Sequence, residues 1–299
     1  MYFSIDLCTE TNIDLNNYKA VKRRAILIGS PGTRDNFLDG VENDLSNFKN
    51  YLLSDAGGAW NENEITVSYN PTFERASSLV HRSAEDYALV YLSGHGYTNR
   101  LNERMFCLRD LHVADTNFLN ESPRQLIIVD ACRTIFTGIG APPPPPFGPR
   151  WEHLEGSPVR ELFDRCIRNS WPGKMIIHST QHGEVSYDNL RGDGGVFMLA
   201  LLKMASKMRS PDFGYKPVRI NSILNKVPIE LRKQGNRQVP STVYESGNLT
   251  VPFAIAAPHN EFVNDVPESH NKSNSSGGGV GGFLLFTGLV LLVAALSKD

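Results

Sequence analysis

Two residues in this sequence have the type and setting of a nucleophile and its base. His95 stands between Gly94 and Gly96, where the apolar run "YALVYLS" stops. Cys132 follows Asp130 and Ala131, where a second run, "QLIIV", stops. Thiolate is the attacking form of cysteine, and a neighbouring imidazole raises its fraction near neutral pH. The flanking glycines leave bare backbone for a peptide to approach. The N–H groups of Gly96 and Cys132 are placed to form an oxyanion hole, worth roughly 3 kcal/mol in the transition state. Cys107 and Cys166 have no comparable setting and read as buried or partly buried thiols. No C-x-x-C pair occurs, so neither a zinc site nor a disulfide framework is indicated, and free thiols in a reducing compartment are expected.

For the dyad to work, both runs must be strands whose ends share one rim. The pattern predicts that arrangement. "RRAILIGS", "EITVSYN", "YALVYLS", "RQLIIVDA" and "KMIIHSTQ" read as strands. Helices are predicted between and after them. In "LDGVENDLSNFKNYLLS", Val41, Leu45, Phe48, Leu52 and Leu53 recur on one face. "TFERASSLVHRSAED" has Thr72 as N-cap. "PVRELFDRCIRNS" and "GGVFMLALLKMASKM" follow, and then "INSILNKVPIELRKQ", kinked at Pro228. Continuous apolar strands alternating with helices predict an α/β fold, a mostly parallel sheet covered on both faces. Reacting groups in such sheets gather beyond the carboxyl ends of the strands. Ser179 and Thr180 end the fifth strand on that rim and are candidate substrate-binding residues.

Other templates fit poorly. "GSPGTRDN" resembles a phosphate loop but lacks the following Gly-Lys-Ser/Thr. Ser93 lacks the G-x-S-x-G elbow. His178 and His182 are four apart, but in a strand-to-loop stretch, so no metal site is read there. The net charge is −2 and no long basic run occurs, which argues against nucleic-acid phosphate as a partner.

The motifs "YLSGHGYT" and "IIVDACRT", with "AILIGSPGTRDNFLDGVENDLSNF" before them, resemble caspase-fold cysteine peptidases, the metacaspase and orthocaspase branch above all. "GGVFMLALLKM" and "QVPSTVYESGNLTVPFAI" resemble that family's small-subunit helix and closing strand. The resemblance spans roughly residues 22–257. It implies a caspase-like three-layer sandwich and a cysteine endopeptidase, with His95 as general base and acid and Cys132 as nucleophile. It also implies that Asp44 and Asp130 line the pocket for the residue before the cut bond. Two carboxylates there favour Arg, by bidentate pairing, or Lys. Calcium activation comes with the resemblance, although the sequence shows no acidic cluster to hold the ion, and no cofactor is expected. After the cysteine the family's His-Ser-Gly is replaced by Arg133-Thr134-Ile135.

The expected organisation is an N-terminal extension (1–21), a peptidase domain (22–257), a flexible Gly/Ser linker (258–279) and a transmembrane helix (280–296). The last is uncharged from Val280 to Leu296, at the short end of what spans a bilayer. The start lacks a basic-then-apolar signal peptide, so a single-pass C-terminal anchor with a cytosolic peptidase domain is expected. Within the domain, a proline-rich insert is expected over about 134–174, with Arg150, Arg160 or Arg165 as self-cleavage points. The function read here is a membrane-tethered peptidase acting on proteins or peptides in regulated cell death or bacterial defence. The competing reading is a catalytically silent scaffold or ligand sensor, acting through partners or through the membrane helix.

Overall fold

A computed structural model describes residues 20–82, 85–131, 158–181 and 194–258, apart from the side chain of Asp35. Cys132, His182, Arg150 and the stretch Val280–Leu296 lie outside the described residues. Among the described residues no helix is long and apolar enough to cross a membrane.

The elements run β1 (Arg23–Ser30), α1 (Gly40–Leu53), β2 (Ile65–Tyr69), α2 (Phe73–Val80) and β3 (Tyr87–Gly94). Three short strands follow: β4 (Gly96–Thr98), β5 (Arg104–Cys107) and β6 (His112–Ala114). Then come β7 (Arg124–Ala131), α3 (Val159–Asn169), β8 (Gly173–His178) and α4 (Val196–Ser206). The domain ends with β9 (Arg209–Ser210), β10 (Lys216–Arg219), α5 (Ile220–Leu224), α6 (Val227–Lys233), β11 (Ser241–Gly247) and β12 (Pro252–Pro258).

The main sheet has the order β11-β8-β7-β3-β1-β2. All neighbours are parallel except β11, which runs antiparallel to β8. The central strands are covered on both faces, which is why their sequences read as unbroken apolar runs rather than alternating ones. Alternate residues divide the core. Leu27, Leu89, Tyr91, Leu126 and Ile128 pack with α1, α3 and α4 on one face. Ile26, Ile28, Val90, Leu92, Ile127 and Val129 pack with α2 and the β4–β6 sheet on the other. The sandwich is therefore three layers, as expected.

Helix α1 buries Val41, Asp44, Leu45, Phe48, Tyr51 and Leu52. Burying an apolar side chain of this size contributes roughly 2–3 kcal/mol, and Phe48 packs edge-on against Tyr91 of β3. The Tyr51 hydroxyl crosses the layer and donates to the Phe253 carbonyl at 2.7 Å. Helix α2 is shorter than its pattern predicted, and Thr72 caps it by accepting from the Arg75 N–H. The predicted last helix is two short ones, with Pro228 in the first turn of α6, where its missing N–H costs nothing.

Two expectations need correction. Within the stretch 134–174, Val159–Asn169 form α3, the helix read there, and Gly173 begins β8. Arg160 and Arg165 are therefore helical, not in an exposed spacer. Arg160 makes a two-pronged pair with Glu64 at 2.6 and 2.9 Å, and extended backbone for cleavage is not available there. Cys166, buried on α3, is disulfide-bonded, so the free-thiol reading fails at this position. Cys107 is a free thiol, and burial pushes its pKa up to about 11.

Candidate active site

The carboxyl ends of β1, β3, β7 and β8 form one rim, with Ser30 beside Gly94 and Gly94 beside Ala131. His95 follows Gly94 on that rim. Gly94 has φ +153°, and a Cβ there would lie 2.2 Å from the Ser30 carbonyl oxygen, so only glycine lets β1 and β3 close up at this end.

A turn after β1 holds the imidazole. The Asn36 side chain accepts from the Thr33 N–H at 2.8 Å, the Asn36 N–H bonds back to the Thr33 carbonyl at 3.0 Å, and the Leu38 N–H reaches the Pro31 carbonyl at 2.9 Å. These bonds aim the Asn36 carbonyl at His95, whose Nε2 donates to it. That donation fixes the tautomer: the proton sits on Nε2, and Nδ1 is the basic nitrogen. Gly32 lies against the other side of the ring. It has φ +89°, and a Cβ there would meet His95 Cδ2 and Nε2 at 2.8 Å. The backbone of β4 continues from His95. Cys107 donates its N–H to the His95 carbonyl at 2.9 Å, while Gly96 pairs with Phe106. By the alternation of antiparallel ladders, the Gly96 N–H then points away from β5.

Asp44 and Asp130 lie close together, and both are buried. Asp44 accepts from the Ser93 hydroxyl at 2.8 Å and from the Gly195 N–H at 2.6 Å. Asp130 accepts from the Met198 N–H at 3.3 Å. Both carboxylates thus sit at the N-terminus of α4, where the helix dipole favours negative charge. A Cβ on Gly195 would be 2.6 Å from Asp130 Oδ2 and 3.2 Å from Asp44 Oδ2, so the two acids flank that glycine closely. Tyr91 lies beneath them. Burial, and then the Asp44 and Asp130 charges, push its phenol well above the ordinary range.

Ser179 and Thr180 follow β8 on the same rim and are fully buried. Ser179 donates its N–H to the Val129 carbonyl at 2.9 Å and accepts from the Gln238 amide at 2.8 Å. The Thr180 carbonyl accepts from the Ser241 hydroxyl at 3.0 Å. Neither presents a surface to solvent.

Sequence reasoning missed the Asn36 carbonyl, the role of Gly32, and the pairing of His178. That histidine donates from Nε2 to Asp115 at 2.6 Å, and Arg104 donates to its Nδ1. The only sequence signal for the first two was the Pro31-Gly32 turn. Among the described residues no group of His, Cys, Asp and Glu is arranged to hold a metal ion.

A strand-end histidine, a carboxylate pair on the neighbouring face and a β1-β3-β7-β8 parallel core define a caspase-like domain. The Caspase domain family matches residues 22–253, and the chain belongs to that family of cysteine peptidases. A crystal structure of caspase-1 from Spodoptera frugiperda is similar with a TM-score of 0.50 and 17% identity, covering 83% of this chain and 97% of that one. At that identity the likeness concerns the fold. Comparison with curated proteins gave no match.

Proposed function

We propose that this protein is a cysteine endopeptidase in which Cys132 attacks the peptide carbonyl and His95 moves the proton. The observation that carries the reading is the Nε2 bond of His95 to the Asn36 carbonyl, on the rim where β7 delivers the chain to Cys132. With that bond made, Nδ1 is left to take a thiol proton and later to return it to the leaving amine. The Gly96 N–H, turned away from β5, supplies one oxyanion donor, and the Cys132 N–H the other.

The preference is for Arg or Lys before the cut bond. Asp44 and Asp130 face one site from α1 and β7, and a guanidinium there gains paired, charge-assisted bonds. To admit it, the Gly194-Gly195 segment must draw back, since the Gly195 N–H occupies Asp44. The enzyme is thus latent until that segment moves. Tethering by Val280–Leu296 behind the Gly/Ser linker would restrict cleavage to substrates at a membrane, consistent with a role in regulated proteolysis such as cell death or antiviral defence.

A fluorogenic peptide panel with Arg, Lys, Asp or Leu before the dye amide, run on wild type and Cys132→Ala, tests this. Cleavage after Arg and Lys that vanishes in the variant is expected. Equal turnover by Cys132→Ala, or cleavage after Asp alone, would overturn it. Removing 280–299 should move the protein from the membrane to the soluble fraction without loss of turnover.

A further inference from the structure

The two faces of the sheet flank the strand ends differently. The carboxylate pair lies on the α1 and α4 face. On the opposite face, beside β8 and β11, is a cavity of about 670 Å³. Arg104, Asp115, Ile176, His178, Val243 and Glu245 line it. A small neighbouring pocket shares Arg104, Asp115 and His178 and adds Tyr97, Val129 and Ala131. Ala131 is the last residue of β7 and directly precedes Cys132 in the chain, so this pocket, only about 10 Å³, lies between the cavity and that strand end.

Resting on the peptidase reading above, we propose that this cavity is the subsite for the peptide on the leaving-group side, and that it receives a basic side chain among the first residues after the cut. A peptide whose residue before the cut sits against Asp44 and Asp130 must continue over the rim to the other face, where the cavity opens. The walls then select charge. Arg104 donates to His178 Nδ1 and His178 Nε2 donates to Asp115, so the imidazole is engaged on both sides, between a cation and an anion. Glu103 also lines the cavity, so its lining carries three carboxylates against one guanidinium.

Glu245 is the group available to a ligand. The β11–β8 register slips between Tyr244 and Ser246, and the bulge re-aims the exposed Glu245 side chain. Its charge reaches Arg104, but it forms no hydrogen bond or ion pair among the described residues. Beside it, the half-buried Val243 offers apolar surface for an aliphatic stem. An Arg or Lys side chain satisfies both features, and an acidic one meets Glu103, Asp115 and Glu245.

The test uses full-length protein and peptides with Arg fixed before the cut and Arg, Ala or Glu at each of three following positions. Wild type is expected to favour Arg over Glu by roughly fivefold in kcat/KM at one of these positions, the scale of a part-exposed charge pair. The preference should fall towards unity in Glu245→Gln and reverse in Glu245→Lys. Turnover of the Arg dye amide by wild type, with indifference to every following residue, would overturn this inference alone. So would a preference that survives Glu245→Lys. No turnover of the Arg dye amide or of any peptide would overturn the peptidase reading and this subsite with it.

Discussion

Replacing Gly32 by Ala probes the histidine without replacing it. The new Cβ would lie 2.8 Å from two ring atoms of His95 and 2.8 Å from Asn36 Oδ1. Ordinary contact begins near 3.4 Å, so the ring and the Asn36 turn must each give by about half an ångström. The backbone adds strain, because φ +89° is a region that side-chain-bearing residues rarely adopt. Together these cost about 2 kcal/mol, the range for one strained non-glycine position. For a domain of this size that lowers Tm by about 4–8 °C. The effect on turnover is larger. Displacing His95 loosens its Nε2 bond to the Asn36 carbonyl, and a misplaced base costs on the order of 100-fold in kcat/KM. Arg dye-amide hydrolysis below the variant's melting range, with circular dichroism to confirm folding, is the assay. Gly214→Ala is the control, since a Cβ there meets nothing within 4 Å. A folded Gly32→Ala protein retaining a third or more of wild-type kcat/KM would refute the idea that this turn sets the imidazole.

The remaining predictions concern the cluster beneath α3. Arg23→Ala should destabilise by about 3–5 kcal/mol in urea unfolding, because Asp164, 3.3 Å from the guanidinium, is left buried without its counter-charge; a loss under 1 kcal/mol, or no recovery on adding Asp164→Leu, would contradict this. Glu64 has its pKa below 4.5: burial pushes it up, but the Arg160 hydrogen bonds and the Arg23 charge outweigh that. Its contribution is therefore present above the unfolded value and lost as pH falls through the folded one. Glu64→Gln should cost about 1–2 kcal/mol at pH 7, and the gap from wild type should close on the acid side of 4.5; a gap independent of pH would count against the pairing.

The main sheet was readable because its strands are buried on both faces and so carry unbroken apolar runs such as Ala25–Ile28 and Leu126–Val129. Strands β4–β6 and β9–β10 were not, because two to four residues hold no period. The stretch read as one closing strand is two, β11 on the main sheet and β12 beside β10, and a chain that changes sheets leaves no mark in hydropathy. His95 was legible from its glycines. Its partner was not, since the contact is a backbone carbonyl and any residue at position 36 supplies one. Asp44 falls three residues from Val41 and four from Phe48, so helical spacing places it on the buried face, but its pairing with Gly195 spans 151 positions. The same distance problem hid Arg160, whose partner Glu64 is 96 residues away, and the assembly of Arg104 with Asp115 and His178.

The path of β12 has a mechanical consequence. It lies between β10 and β9 in a small sheet of its own, and its Ile255 N–H is pinned to the Ala56 carbonyl behind α1 at 2.8 Å. A pull on the chain beyond Pro258 loads those strands in shear first. While those bonds hold, they carry the load before it passes along residues 248–251 to β11 and the six-stranded sheet, so tension applied at that end would strip the small sheet before it spread the rim that holds the imidazole.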